Sequence, residues 1–123
     1  MEACPRPSRL ALGRSGEAAA VEHLRARGFE IVETGWRFGR GEIDIVARDG
    51  PVLVFVEVKT RQGRAFGRPE EAVTAAKQRQ IRKIAQAYLV GRRIRGCRCR
   101  FDVIAVEIEA GRPPLLRHIP NAF

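Results

Sequence analysis

Glu57 and Lys59 are charged residues at the end of a segment that otherwise reads as protein core. Residues 52–58 form an almost unbroken apolar, β-branched run of the kind found in a central strand covered on both faces. Glu57 interrupts that run and Lys59 follows it, while Asp44 lies in the preceding strand-like segment 41–47. Charges persist in such a place when they are paired or bound to a metal. Asp49-Gly50 between the two segments is a hairpin signal. A two-residue loop there sets Glu42 opposite Glu57 and Phe55 opposite Asp44. Because side chains alternate along a strand, that register puts Glu42, Asp44, Glu57 and Lys59 on one face. Asp44 and Glu57 become diagonal neighbours, with Cα atoms roughly 7–8 Å apart, close enough to share a divalent cation. A loop of odd length would move Asp44 to the other face.

Carboxylate ligands without a neighbouring His or Cys cluster suit Mg²⁺ or Mn²⁺ rather than zinc. A lysine two residues beyond one ligand is placed to orient a water or to hold a phosphate. Together these are the parts of metal-assisted phosphodiester hydrolysis. The bland alternative is a buried Glu57–Lys59 or Asp44–Lys59 ion pair with no chemistry, since ion pairs imitate such clusters.

The 123 residues suffice for one domain with a real core. A formal charge of +9 favours a polyanionic partner, DNA above all, although 20 of the 23 basic residues are arginines and a GC-rich genome would also enrich them. Against that background Lys59 and Lys77 stand out as positions that call for a point-like ammonium, Lys77 as a phosphate contact to nucleic acid. No apolar run is long enough to cross a membrane. Three cysteines, Cys4, Cys97 and Cys99, are odd in number and lack C-x-x-C spacing, which argues against a disulfide framework or a zinc site. No apolar signal core opens the chain, so the expected location is the cytoplasm.

These residues must be positioned by a small set of elements. Residues 1–12 read as a flexible lead-in and 13–123 as a single domain. A helix is expected from about Gly13 to Arg27, with Glu17, Ala20, Val21 and Leu24 on one face and Gly28 as its stop. Glu17 is then either an added carboxylate at the metal site or a first-turn glutamate facing water. A strand over 29–34 leads into a loop over 35–41, where Trp36, Arg37 and Arg40 could stack on bases and hold phosphate, or where Trp36 could plug the core. After Lys59 comes an Arg-rich connection with Arg61, Arg64 and Arg68 as phosphate contacts. A helix follows, starting at Pro69 or capped by Thr74, and ending near Gly91. Val73, Lys77, Ile81, Ile84, Ala85 and Tyr88 form its inward stripe, with Arg79, Arg82 and Lys83 outside. Strands over 99–107 and 115–119 complete the order, and Asp102 reads as a structural partner of Arg100. The result is an α/β fold in the order α-β-β-β-α-β-β, a mixed sheet flanked by helices.

The segments Gly-Glu-Ile-Asp-Ile-Val-Ala at 41–47, Val-Phe-Val-Glu-Val-Lys-Thr-Arg at 54–61, Glu-Glu-Ala-Val-Thr at 70–74, Arg-Phe-Asp-Val at 100–103 and the closing His118 to Phe123 resemble the YraN-like bacterial proteins. The strand motif is also similar to that of the PD-(D/E)XK nuclease superfamily, whose fold is restriction-endonuclease-like and whose relatives include Holliday junction resolvases. That resemblance implies a metal site at Asp44 and Glu57, Lys59 as the motif lysine, and Glu17 as an added ligand, with Glu42 a further candidate. Ile43 stands where the superfamily pattern has proline. The expected function is a Mg²⁺- or Mn²⁺-dependent DNA endonuclease acting on branched or single-stranded DNA, with a homodimer as the form that would cut two strands. The rivals are a non-catalytic nucleic-acid-binding module and a protein-interaction subunit.

Overall fold

A computed structural model describes residues 9–62 and 73–123. Its elements follow the expected order: α1 (Arg9–Ala26), β1 (Glu30–Phe38), β2 (Gly41–Asp49), β3 (Val52–Gln62), α2 (Ala75–Gly91), β4 (Cys99–Ile108) and β5 (Leu115–Ile119). The five strands lie side by side in sequence order, antiparallel except for the β3–β4 pair, which is parallel and joined across α2. Such a parallel pair needs a crossover, and α2 lies within it. No described helix is long and apolar enough to cross a membrane.

The helices cover opposite faces. Ala20 and Leu24 of α1 pack on Ile45, Ala47, Val54, Val56, Ile104 and Val106. Ile84, Ala85 and Tyr88 of α2 pack on Ile43, Val46, Leu53 and Phe55. β3 therefore buries side chains on both faces, which is why its sequence runs apolar without alternation. Thr74 caps α2, its Oγ1 accepting from the Lys77 N–H at 3.2 Å, and the inward stripe from Val73 to Tyr88 is the one its spacing predicts. Gly28, with φ 88°, ends α1 as a left-handed C-terminal residue.

Three expectations need correction. α1 begins at Arg9 rather than at about Gly13. Residues 35–41 are not a loop: β1 continues to Phe38 and turns back at Gly39-Arg40 into β2. Finally, the β2–β3 turn is Gly50-Pro51, with Asp49 paired to Val52 and Val46 to Phe55. Pro51 has no N–H to give a ladder and its ring fixes φ, so it belongs in the turn. This moves the register by two residues from the one expected. An even shift keeps every side chain on its face.

Regular alternation nevertheless fails near the site. Ile43 packs toward α2 and Ile45 toward α1, although two residues apart should share a face. Gly35 lies opposite this break, between the pairs Thr34–Ile45 and Trp36–Ile43, and holds φ 63°, a conformation that side-chain-bearing residues rarely adopt. Asp44 occupies the point where β2 turns over.

Candidate functional site

The β2–β3 ladder runs from Asp49–Val52 to Ile45–Val56 and ends there. Beyond it Asp44 Oδ2 accepts from the Val58 N–H at 2.8 Å, so a side chain takes a donor that a continuing sheet could have used. The strands part at this point, and four carboxylates gather in the opening. α1 supplies Glu17, lying one residue after Gly16, where an added methyl would run into the Thr60 side chain of β3. That absence of a side chain lets α1 approach the sheet closely. Oxygens of Glu17, Glu42 and Asp44 lie within 4.8 Å of one another. Glu57 is buried beside them and donates a hydrogen bond to Asp44 when protonated.

Two lysines flank this cluster. Lys59 Nζ lies 3.6 Å and Lys77 Nζ 3.9 Å from Glu57 Oε1. Even so, Glu57 is pushed up from 4.5 to about 7, by burial first and then by the Asp44 charge, which together outweigh the lysines. Glu17 is likewise raised to about 7, by burial and then by Asp44 and Glu42. Burial also raises Asp44, against the Val58 N–H and Glu57 that hold it down. Without a cation, the cluster therefore keeps protons that exposed carboxylates would have lost near pH 7.

This has a measurable consequence. Between pH 4.5 and about 7 the folded chain binds more protons at Glu17 and Glu57 than the unfolded chain does, so their contribution to stability falls as pH rises through that interval. His23 is held below 6.5, chiefly by burial, and works in the opposite direction on the acid side. The difference between wild type and Glu57→Gln isolates the share of Glu57 in this effect. Wild type should lose several degrees of melting temperature relative to Glu57→Gln from pH 5 to pH 8, and saturating Mn²⁺ should cancel the loss. Parallel melting curves for the two proteins across that range would refute the proton-holding cluster.

The donor set fits a hard divalent cation. It is all oxygen and converges from three elements, with Glu17 and Glu57 crowded enough for their carboxyls to titrate well above the usual range; among the described residues no His or Cys joins it. Glu17, Glu42, Asp44 and Glu57 would hold Mg²⁺ or Mn²⁺, with Lys59 and Lys77 beside them.

The other expected site residues are distributed unevenly. Lys77, read as a phosphate contact, is brought to Glu57 itself. Arg61 lies near the outer end of β3, opposite Glu107 of β4. Arg64 and Arg68 fall outside the described residues. Arg37 pairs with Glu42 at 3.2 Å, and Arg40 is exposed at the hairpin turn. Trp36 meets Tyr88 edge-on at 5.2 Å between ring centroids, which makes it a core plug, yet it also stacks on Phe38 at 6.1 Å. Sequence reasoning misses Phe38; an aromatic at i+2 on the same strand is the available signal.

Asp102 proves structural. Fully buried on β4, it accepts from Arg100 Nε at 2.8 Å and Arg100 Nη2 at 2.9 Å, lies 2.7 Å from His118 Nε2, and accepts from the Asn121 N–H at 2.9 Å. These bonds hold its carboxyl below the usual range despite burial. A groove of about 980 Å³ between α1 and β1, around Val21, His23 and Ile31, includes none of the four clustered carboxylates.

Residues 16–106, which span every site residue named above, match the profile of the uncharacterised protein family UPF0102. The chain is 51% identical over 112 residues to a UPF0102 protein of Symbiobacterium thermophilum, covering 91% of this chain and 95% of that one. It is 47% identical over 114 residues to one of Rhodococcus jostii, at 93% and 97% coverage, and 51% identical over 115 residues to one of Syntrophotalea carbinolica, at 94% and 93%. With half its residues shared over nearly its whole length, the chain belongs to the UPF0102 family, the YraN-like proteins.

Proposed function

We propose that the protein is a metal-dependent DNA endonuclease. The observation that carries this reading is the gathering of Glu17, Glu42, Asp44 and Glu57, flanked by Lys59 and Lys77, at the opening between β2 and β3. A structural ion pair needs one cation and one anion. Here four acids crowd together and two of them, Glu17 and Glu57, hold protons more tightly than exposed carboxylates do, a crowding that a divalent ion would relieve. The motif resemblance to PD-(D/E)XK nucleases points the same way.

A divalent cation held by these carboxylates would supply Lewis-acid activation of a water nucleophile and neutralise charge on the phosphate oxygens. The chain's own groups do the rest. Asp44, fixed by the Val58 N–H, sets the orientation of the carboxylate cluster. Lys59, partly exposed, is open on its solvent side to orient the attacking water and to stabilise charge developing on the phosphate. Lys77 meets the neighbouring backbone phosphate, and Arg40 and Arg61 carry the strand away from the site. Cutting both strands of a duplex or a junction would take two copies of the chain, one site for each strand.

The test is cleavage of linear duplex, single-stranded, flapped and four-way DNA with Mn²⁺ or Mg²⁺, alongside affinity at several salt concentrations. Metal-dependent cleavage of at least one form is expected. Binding should weaken with salt, and its slope should flatten by roughly 0.9 for each phosphate that Arg61→Ala/Arg64→Ala/Arg68→Ala leaves unneutralised. Salt-dependent binding without cleavage of any form would leave a nucleic-acid-binding module. No binding at 50 mM salt would leave a protein-interaction subunit.

A further inference from the structure

The β1–β2 turn and α2 line a small, open cavity. It has a volume of about 190 Å³ and is lined by Phe38, Gly39, Arg40, Gly41, Gln80, Lys83 and Ile84. Phe38 is 50% exposed, although the apolar core lies within reach. Its ring lies 4° from parallel to Trp36, which in turn is braced edge-on against Tyr88. The exposed ring is therefore supported from behind. Gly41 sits so close to Ile84 that any side chain there would collide with it, and a methyl at Gly41 would lie 3.3 Å from Gln80 Nε2, which places that amide at the cavity. Arg40 and Lys83, both exposed, supply positive charge at its edges.

Position ties the cavity to the site. On α2, Gln80 lies three residues after Lys77, whose Nζ is 3.9 Å from Glu57 Oε1. Three residues along a helix advance about 4.5 Å, of the order of one nucleotide step along a strand. An aromatic face, an amide and two cations are the elements that hold a single base and its phosphates. A base inside a duplex cannot reach such a cavity, because it is stacked and paired.

We infer that this cavity receives the base of one unpaired nucleotide next to the phosphate held at the carboxylates, with Phe38 stacking on the base, Gln80 bonding its edge, and Arg40 and Lys83 meeting the flanking phosphates. The inference rests on the endonuclease reading and narrows its substrate to DNA that carries an unpaired nucleotide at the cut. Continuous duplex is disfavoured because it would have to give up a base from its stack.

The experiment compares wild type, Phe38→Ala and Phe38→Trp on a flapped DNA and on the same DNA with one abasic nucleotide placed on either side of the cut. Phe38→Ala should lose roughly 5- to 150-fold in kcat/KM on the intact flap, the range expected for one stacked base, and Phe38→Trp should restore it. The abasic nucleotide should impose the same loss on wild type and no further loss on Phe38→Ala. Equal kcat/KM for wild type and Phe38→Ala, losses that multiply, or wild-type cleavage of continuous duplex as fast as of the flap would overturn the inference while leaving the endonuclease reading in place. A second readout does not need cleavage. Single-stranded oligonucleotides carrying 2-aminopurine should be quenched on binding wild type and less quenched on Phe38→Ala; equal quenching overturns the inference even where no DNA is cut.

Discussion

Asp44→Asn should abolish saturable Mn²⁺ binding in the millimolar range and lower DNA cleavage by at least 10²- to 10³-fold, the cost typical of losing one charge-stabilising group at a reacting centre. The effect should be large because Asp44 contacts every other member of the cluster. It accepts from the Val58 N–H, shares hydrogen bonds with Glu17 and Glu57, and lies within 4.8 Å of Glu42. Wild type at ~100 times the metal Kd should gain about 2.7 kcal/mol of stability, and the variant should gain little. Lys59→Ala should part from this pattern. Its interaction is worth most in the transition state, so it should lose cleavage while keeping metal binding and most DNA affinity. A folded Lys59→Ala with wild-type kcat would remove the lysine from the mechanism. Calorimetry showing unchanged Mn²⁺ affinity in Asp44→Asn would remove the aspartate.

Asp102→Ala should produce the largest loss of stability, on the order of 3–5 kcal/mol, because it strands partners inside the protein. Arg100 is only 22% exposed in its side chain and His118 only 4%; Arg100 is left with Asp49 alone at 3.3 Å, while His118 Nε2 and the Asn121 N–H lose their Asp102 partner. At roughly 4 °C for each kcal/mol in a domain of this size, the melting temperature should fall by about 12–20 °C. Asp102 lies on the α1 face of the sheet, next to His118 and Arg100, whereas the neighbouring Val103 packs with Ile81 of α2. Mn²⁺ binding below the new melting temperature should therefore be retained. A shift of less than 1 kcal/mol would show that the Arg100–Asp102–His118 network is dispensable; loss of metal binding in a folded variant would tie it to the site.

Local pattern along the chain is enough to place the elements in order and to mark the charged residues that gather among them. Residue order and hydrophobic pattern specify the two helices and five strands. Thr74 announces the start of α2 because capping is a local hydrogen bond, and the inward stripe to Tyr88 follows from helical spacing. Asp44, Glu57 and Lys59 are legible as a cluster because side-chain alternation survives an even error in register: the turn is Gly50-Pro51 rather than Asp49-Gly50, and the same residues still meet. Only the tertiary structure decided the rest, since each remaining contact joins elements distant in the chain. Glu17 is free to face water or the site until α1 crosses β3 at Gly16 and Thr60. Lys77 reaches Glu57 only because α2 packs on the same face of the sheet. The reversal of β2 at Asp44 departs from regular alternation and depends on Gly35 across the hairpin. Asp102 and His118, sixteen residues apart, are joined by the β4–β5 pairing. Phe38 becomes part of a supported aromatic face only because Trp36 is anchored on Tyr88 of α2. Local propensity, spacing and capping act within a few residues, whereas these contacts are fixed by how the helices cross the sheet, which no single segment encodes.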